Sequence, residues 1–376
     1  MNKKKNKILL LAYTNHNFGD DMFIYTICKE FPRQTFVLKT LPSYSETLSS
    51  LPNLILRKRS VIERVYDKVV SKFACFNKIN LNTVGVAAVV YVIGGLFDDD
   101  EIWANYVEKF GMKKLKNMLW ENSFNSKKPF FLLGCNVTRV TGQEYIDQMN
   151  YLFDGLADIC FRDKYSYNFF NTLDNTRYAP DIVFNYKCKT VNKDESVLIS
   201  VWGPLTCVEK FPQWKWAENL WDEYENFLVG IVNQFLNAGK KVTLLALCEN
   251  EGDKTACLRI REKVQTELDI VSYDGNLKKI IGLFEKARFV VGTRFHSVVM
   301  ALNAGCAIYP IVYESKTEQL LIDINYTGPV SYIVKVRSYN VRNVIDSYYR
   351  NEVVVCDSIK MSAVNQFEKF REFFGD

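Results

Sequence analysis

Short apolar runs recur along the chain, each followed by a polar or glycine-bearing loop and then by a longer amphipathic stretch. Runs such as PFFLL (129–133) and DICF (158–161) lack the apolar–polar alternation of a half-exposed strand, so both faces need cover. Apolar runs alternating with amphipathic stretches mark parallel βαβ units, because parallel strands need a crossover and an amphipathic helix supplies one. In the first half the strands fall at 8–13 (ILLLAY), 86–93 (VAAVVYVI), 129–133 and 158–161, while residues 40–80 do not sort into elements. The second half continues with strands at 196–203, 240–247, 269–274, 288–292 and 306–313, separated by helical segments, and a last helix over 358–374.

A chain of 376 residues is too long for one ordinary core. The expected architecture is α/β, with two Rossmann-like doubly wound domains facing a central cleft. Residues 1–190 make the first domain, 191–345 a second with five strands, and 346–376 a C-terminal helical segment. The boundary is placed in the polar stretch 187–195.

Composition excludes several function classes. Net charge is +5 and no basic–aromatic stripe appears, so nucleic acid is not an expected partner. The ten cysteines include no Cys-x-x-Cys, and those in apolar runs, such as Cys160 and Cys306, read as small hydrophobes. With two histidines and no clustered ligands, no metal is expected. MNKKKNK followed by ILLLAY imitates a signal peptide, but the apolar part is short and no small-residue cleavage site follows. The uncharged run Val84–Phe97 falls short of the ~20 residues of a membrane helix. The expectation is a cytoplasmic protein with reduced thiols, its basic start able to touch the inner membrane face as a peripheral contact.

The stretch GTRFHSVVMALNAG (292–305) joins an apolar strand to an apolar helix, with Gly305 placed where a helix stops. Arg294 and His296 therefore lie at a strand's carboxyl end and a helix's amino end. Free backbone N–H groups and the helix dipole favour anions there. Other loops after strands add to the set. TNHNFGDD brings His16, Asn17, Gly19 and Asp20, with Asp20 as the expected helix cap; GGLFDDD brings Gly94 and Gly95. RDKYS brings Arg162, followed by Pro180–Asp181, and YESK brings Lys316. Arg162 and Asp181 read either as a surface ion pair or as cleft residues. Two arginines from opposite domains would suit a ligand with more than one anionic group.

In order, NFGDD, GGLFDD, FRDKYS, APDIVF, VVGTRFHSVVMALNAG and YESK are similar to the polysaccharide pyruvyl transferases over roughly residues 10–325. The resemblance implies a GT-B-like fold and transfer of a pyruvyl group from phosphoenolpyruvate to two hydroxyls of a sugar, forming a cyclic ketal. No cofactor is implied, since the ketal forms without redox change. The implied donor site comprises Arg294, Arg162, Ser297, Lys316, Gly94 and Gly95, with His296 as the catalytic acid or base. His16, Asn17, Gly19 and Asp20 are left to the acceptor side of the cleft. The acceptor would be a lipid-linked or nucleotide-linked sugar of a surface-polysaccharide precursor. The chain departs from the family's pattern at Leu96 and in the loop Gly134–Val140.

Two other functions fit the same residues. A nucleotide-sugar glycosyltransferase would set Arg294 and Lys316 against a diphosphate and use Glu314 or Glu318 on the ribose. A non-catalytic relative would keep only the anion site. The tryptophans of PQWKWAENLW (212–221) read as packing rather than as sugar contacts.

Overall fold

The computed structural model describes residues 6–14, 16–40, 46–58, 85–95, 101–124, 128–203 and 212–375. Leu96, Asp98–Asp100 and most of the 40–80 stretch lie outside the described residues. The chain divides into two compact units, and neither is one continuous stretch. The first unit takes Met1–Thr14, Phe23–Ile182 and Ala363–Asp376; the second takes Asn15–Met22 and Val183–Ser362.

The first unit is built on a seven-stranded parallel sheet in the order β3-β2-β1-β4-β5-β6-β7. Its strands are β1 (Lys7–Ala12), β2 (Thr35–Thr40), β3 (Leu54–Lys58), β4 (Ala88–Val92), β5 (Phe130–Cys135), β6 (Asp158–Phe161) and β7 (Thr176–Tyr178). β1 lies between β2 and β4, with Ile8 opposite both Phe36 and Ala88. Every residue of β5 and β6 is buried, as their largely apolar runs require, and the one charge among them, Asp158, is paired with Arg177 at 2.7 Å. Helix Gln143–Phe153 turns Tyr145, Met149, Leu152 and Phe153 into the core, where they meet Phe130, Leu132, Phe161 and Phe170.

The second unit carries a six-stranded parallel sheet in the order β10-β9-β8-β11-β12-β13. These strands are β8 (Val197–Ser200), β9 (Val242–Ala246), β10 (Asp269–Ser272), β11 (Phe289–Gly292), β12 (Ala307–Val312) and β13 (Ser331–Tyr332). The chain winds outward from β8 to β10, then crosses back to lay β11 on the other side of β8. That reversal is the topological switch point of a doubly wound sheet, where ligands of such folds bind at the strands' carboxyl ends. Helix Trp221–Asn237 buries Tyr224, Leu228, Ile231, Val232 and Phe235 against the sheet.

Three expectations change. The second sheet has a sixth strand, because the two-residue pair Ser331–Tyr332 on β12 is too short to leave a periodic signal. The units meet in sequence at Ile182/Val183 and not within 187–195. The polar stretch packs on the second unit: Asn303 Nδ2 donates to the carbonyls of Val183 and Tyr186, each at 2.9 Å, and Lys193 Nζ to that of Phe284 at 3.0 Å. The C-terminal segment is no separate body either. It splits into Asp357–Ala363, Val364–Phe367 and Glu368–Phe374, and from Ala363 onward belongs to the first unit. There the Gln366 amide accepts from Gly134 N at 3.1 Å and donates to the Ala179 carbonyl at 2.6 Å.

Candidate functional site

At the switch point of the second unit, β11 ends on Gly292 and helix Phe295–Asn303 begins three residues later. Ser297 N and Val298 N both bond the Arg294 carbonyl, closing the helix's first turn. The Ser297 hydroxyl donates to that same carbonyl at 2.5 Å and is fully buried. Ser297 thus holds the turn, and the structure does not place it among the cavity residues expected to meet a donor.

Arg294 and His296 do share a cavity of about 90 Å³. Its lining includes Asn17, Gly19, Trp214, Glu251, Tyr313 and Lys316. The position of Gly19 follows from its neighbours. Asn17 Oδ1 accepts from Gly19 N at 2.9 Å and Phe18 N donates to the Leu247 carbonyl at 3.0 Å. The buried Phe18 ring packs edge-on to Tyr273 and stacked with Phe284. So held, Gly19 faces the His296 imidazole so closely that an added Cβ would overlap the ring. The helix here starts at Phe18, so Asn17 and not Asp20 fills the capping position. His16, in the left-handed region at φ 52°, and Asp20 are not among the cavity's lining.

Arg294 is buried, and its guanidinium meets two carboxylates. Its Nε donates to both oxygens of Asp253, at 3.2 and 2.9 Å, and Nη2 also reaches Asp253. Nη1 donates to Glu251. Asp253 opens helix Asp253–Val264 just after Gly252, whose φ of 83° belongs to the left-handed region. It also accepts from the backbone N–H groups of Gly203 at 3.1 Å, Leu247 at 3.2 Å and Cys248 at 2.9 Å. Burial pushes the Asp253 carboxyl up to about 6 against the pull of Arg294. The acidic partners hold Arg294 well above its ordinary value, outweighing its own burial.

Lys316, one residue into helix Ser315–Asp323, lies 5.6 Å from the centroid of the Tyr313 ring and pairs with Glu314. Glu314 also accepts from Trp214 Nε1 at 2.9 Å, and its carboxyl lies below the ordinary range: burial raises it, but Lys316, Trp214 and Arg294 together outweigh burial. Trp214, a tryptophan read as packing, is thus a wall of the cavity. It packs edge-on to Trp202, which stacks 4.3 Å from Tyr313. Cys248 lines the cavity as a thiol that burial keeps protonated.

Arg162 and the two glycines lie in the first unit. Arg162 donates to Asp181 at 3.1 Å and to Asn136 from Nε at 3.1 Å and Nη2 at 2.6 Å. The Arg162–Asp181 pair is not on the surface, since the two side chains are 3% and 1% exposed. Gly94 lies against this guanidinium: an added Cβ would come within 3.0 Å of Nη2. Gly95 is exposed and bridges Asn136.

Asp253, Glu251 and Trp214 escaped the sequence reading, although one signal was present. Asn250-Glu251-Gly252-Asp253 repeats the Asn-x-Gly-Asp order of Asn17-Phe18-Gly19-Asp20, and a backbone bridge joins Asn17 to Cys248. Among the described residues, no three His, Cys, Asp or Glu side chains group as a metal site, and no helix is long and apolar enough to cross a membrane.

The sequence model of the polysaccharide pyruvyl transferases matches residues 17–315. The chain belongs to that family. It is 20% identical over 303 residues to the amylovoran biosynthesis protein AmsJ of Erwinia amylovora, covering 73% of this chain and 69% of that one. The family match places it among the transferases of polysaccharide biosynthesis, and the likeness to a biosynthesis protein is consistent with that. Among solved structures, a putative UDP-N-acetylglucosamine 2-epimerase from Listeria monocytogenes superposes with a TM-score of 0.54 at 12% identity, over 98% of this chain and 95% of that one. Anabaena Alr3699/HepE, solved with UDP-glucose, gives 0.55 at 9% identity over 98% of both chains. At such identities the likeness is one of fold, two parallel-sheet α/β domains of the GT-B-like class.

Proposed function

We propose that the family member described here moves a pyruvyl group from phosphoenolpyruvate onto two hydroxyls of a sugar in a surface-polysaccharide precursor, lipid-linked or nucleotide-linked, and needs no cofactor. The observation that carries this is the shared cavity of Arg294, His296 and Lys316 in the second unit. Two cations suit the carboxylate and phosphate of the donor. In the reaction two C–O bonds form at C2 of the donor and its C–O bond to phosphate breaks. Of the two hydroxyl protons released, one ends on C3 and the other on phosphate. His296, at the head of its helix, is the group assigned to move a proton. The nucleotide-sugar alternative asks Glu314 or Glu318 to hold a ribose. Glu314 already takes Trp214 and Lys316, and Glu318 takes the Tyr332 hydroxyl at 2.9 Å.

Calorimetric titration with phosphoenolpyruvate and with UDP-glucose, beside an assay of phosphate release against a panel of sugar acceptors, tests the proposal. Saturable phosphoenolpyruvate binding and acceptor-dependent phosphate release are expected. Binding of the nucleotide sugar alone would overturn it, and binding without turnover on any acceptor would favour a non-catalytic anion module.

A further inference from the structure

The charges around Arg294 do not favour an arriving anion. One guanidinium faces Asp253 and Glu251, and Lys316 faces Glu314, so the two cations that line the cavity are already paired with three carboxylates, of which Glu251 lines it too. The two partners of Arg294 differ in how they are held. Asp253 is fully buried and fixed by three backbone N–H groups, and it takes the Nε–Nη2 edge. Glu251 lines the cavity, and its side chain keeps 12% of its exposure. It stands at the end of the short turn Glu249–Glu251 and takes Nη1.

We infer that the Glu251 carboxylate occupies the anion subsite of the cavity, standing on Arg294 Nη1 where an acidic group of the ligand docks, and must swing aside to admit it. A carboxylate or phosphate oxygen bonds a guanidinium N–H as Glu251 does, so the exchange conserves the hydrogen bond. An anion entering without the exchange would set a third negative group on one cation, in a cavity of about 90 Å³. Asp253, in contrast, stays and aims the guanidinium. Glu251 is thereby a specificity-determining residue: it rejects ligands too weakly charged to replace it. The inference rests on the proposal that Arg294 binds an anion, but not on which anion.

The test is calorimetric titration of the wild-type protein, Glu251→Gln and Glu251→Ala with phosphoenolpyruvate, inorganic phosphate and UDP-glucose. Unfolding midpoints confirm that each variant is folded. Removing the competing charge should tighten binding of an anion about tenfold or more, the scale of one charge-assisted hydrogen bond. A gain for phosphoenolpyruvate supports the inference and the proposed donor together. A gain for UDP-glucose or inorganic phosphate, with no binding of phosphoenolpyruvate by any of the three proteins, supports the inference and sinks the donor. Equal or weaker binding in both folded variants overturns the inference, and if the wild type binds phosphoenolpyruvate the proposed function stands without it. No binding of any anion by any of the three proteins overturns the inference as well.

Discussion

Arg162 in the first unit directly follows the end of β6, Arg294 in the second follows the end of β11 after one residue, and both are buried. Their surroundings differ in kind. Arg162 is met by Asp181 and by the amide of Asn136, with the bare backbone of Gly94 against its guanidinium. Arg294 is met by two carboxylates, one locked and one facing a cavity. Arginine at a strand end is therefore not a sufficient sign of a ligand site. What separates the two is the company of His296, of Lys316 and of a displaceable acid.

The largest effects should come from breaking each pair on its locked side. Removing one partner of a buried ion pair leaves the other charge uncompensated, at about 3–5 kcal/mol. Asp181→Ala and Asp253→Ala should each lower stability on that scale in urea unfolding. A loss under about 1 kcal/mol at either site would mean that the charge left behind finds water or another partner. Next comes chemistry. His296→Gln should reduce turnover by ~10²–10⁴-fold while donor affinity changes little, the mark of lost proton transfer. Near-parental turnover would make His296 a scaffold residue.

Smaller effects sharpen the comparison. Gly19→Ala forces the His296 ring to move, an overpacking of about 1–3 kcal/mol, and should lower turnover more than it lowers stability. If the ring simply rotates away, activity will survive and the close approach is incidental. The smallest effect concerns the exposed Glu195 carboxylate. Lys240, Tyr348 and Arg288 hold the Glu195 carboxyl down at about 2. A depressed carboxyl adds stability that is present above its ordinary range near 4.5 and lost as pH falls through about 2. Glu195→Gln should flatten that acid limb of the unfolding profile and leave neutral pH nearly unchanged. An unaltered limb would assign it to other carboxylates.

Much of this was legible from sequence because burial on both faces leaves an unmistakable mark. β5, β6, β9, β11 and β12 are apolar throughout or nearly so, and each falls inside or within two residues of its expected run. The strands that escaped have weaker patterns. β2 alternates buried and half-buried positions over Thr35–Leu38, β7 is half-buried throughout, and β13 has two residues. At the site, a positive group beside a helix start announced Arg294 and His296. Glu251 and Asp253 gave no such notice, because an acidic turn before a helix is ordinary capping chemistry. Trp214 was hidden by the same logic, since tryptophans in an amphipathic stretch usually pack.

The interleaving of the two units bears on how such a chain is made. The first unit is completed only by residues 363–375, whose Gln366 bonds backbone within β5 and just after β7 and whose Arg371 pairs with Glu30. On the ribosome these arrive after every residue of the second unit has been synthesised. The second unit, which needs only 15–22 and 183–362, has its parts in hand first. Its sheet is free to close while the first unit waits with its β5 and β6 strands formed but unsealed. For that interval the earlier-made half is the more exposed to misassociation, against the usual rule that N-terminal domains finish first. The same interleaving defeats a simple cut near 183: a protein begun there would carry a closing segment for a unit it lacks, and would miss the Gly19 turn that faces His296.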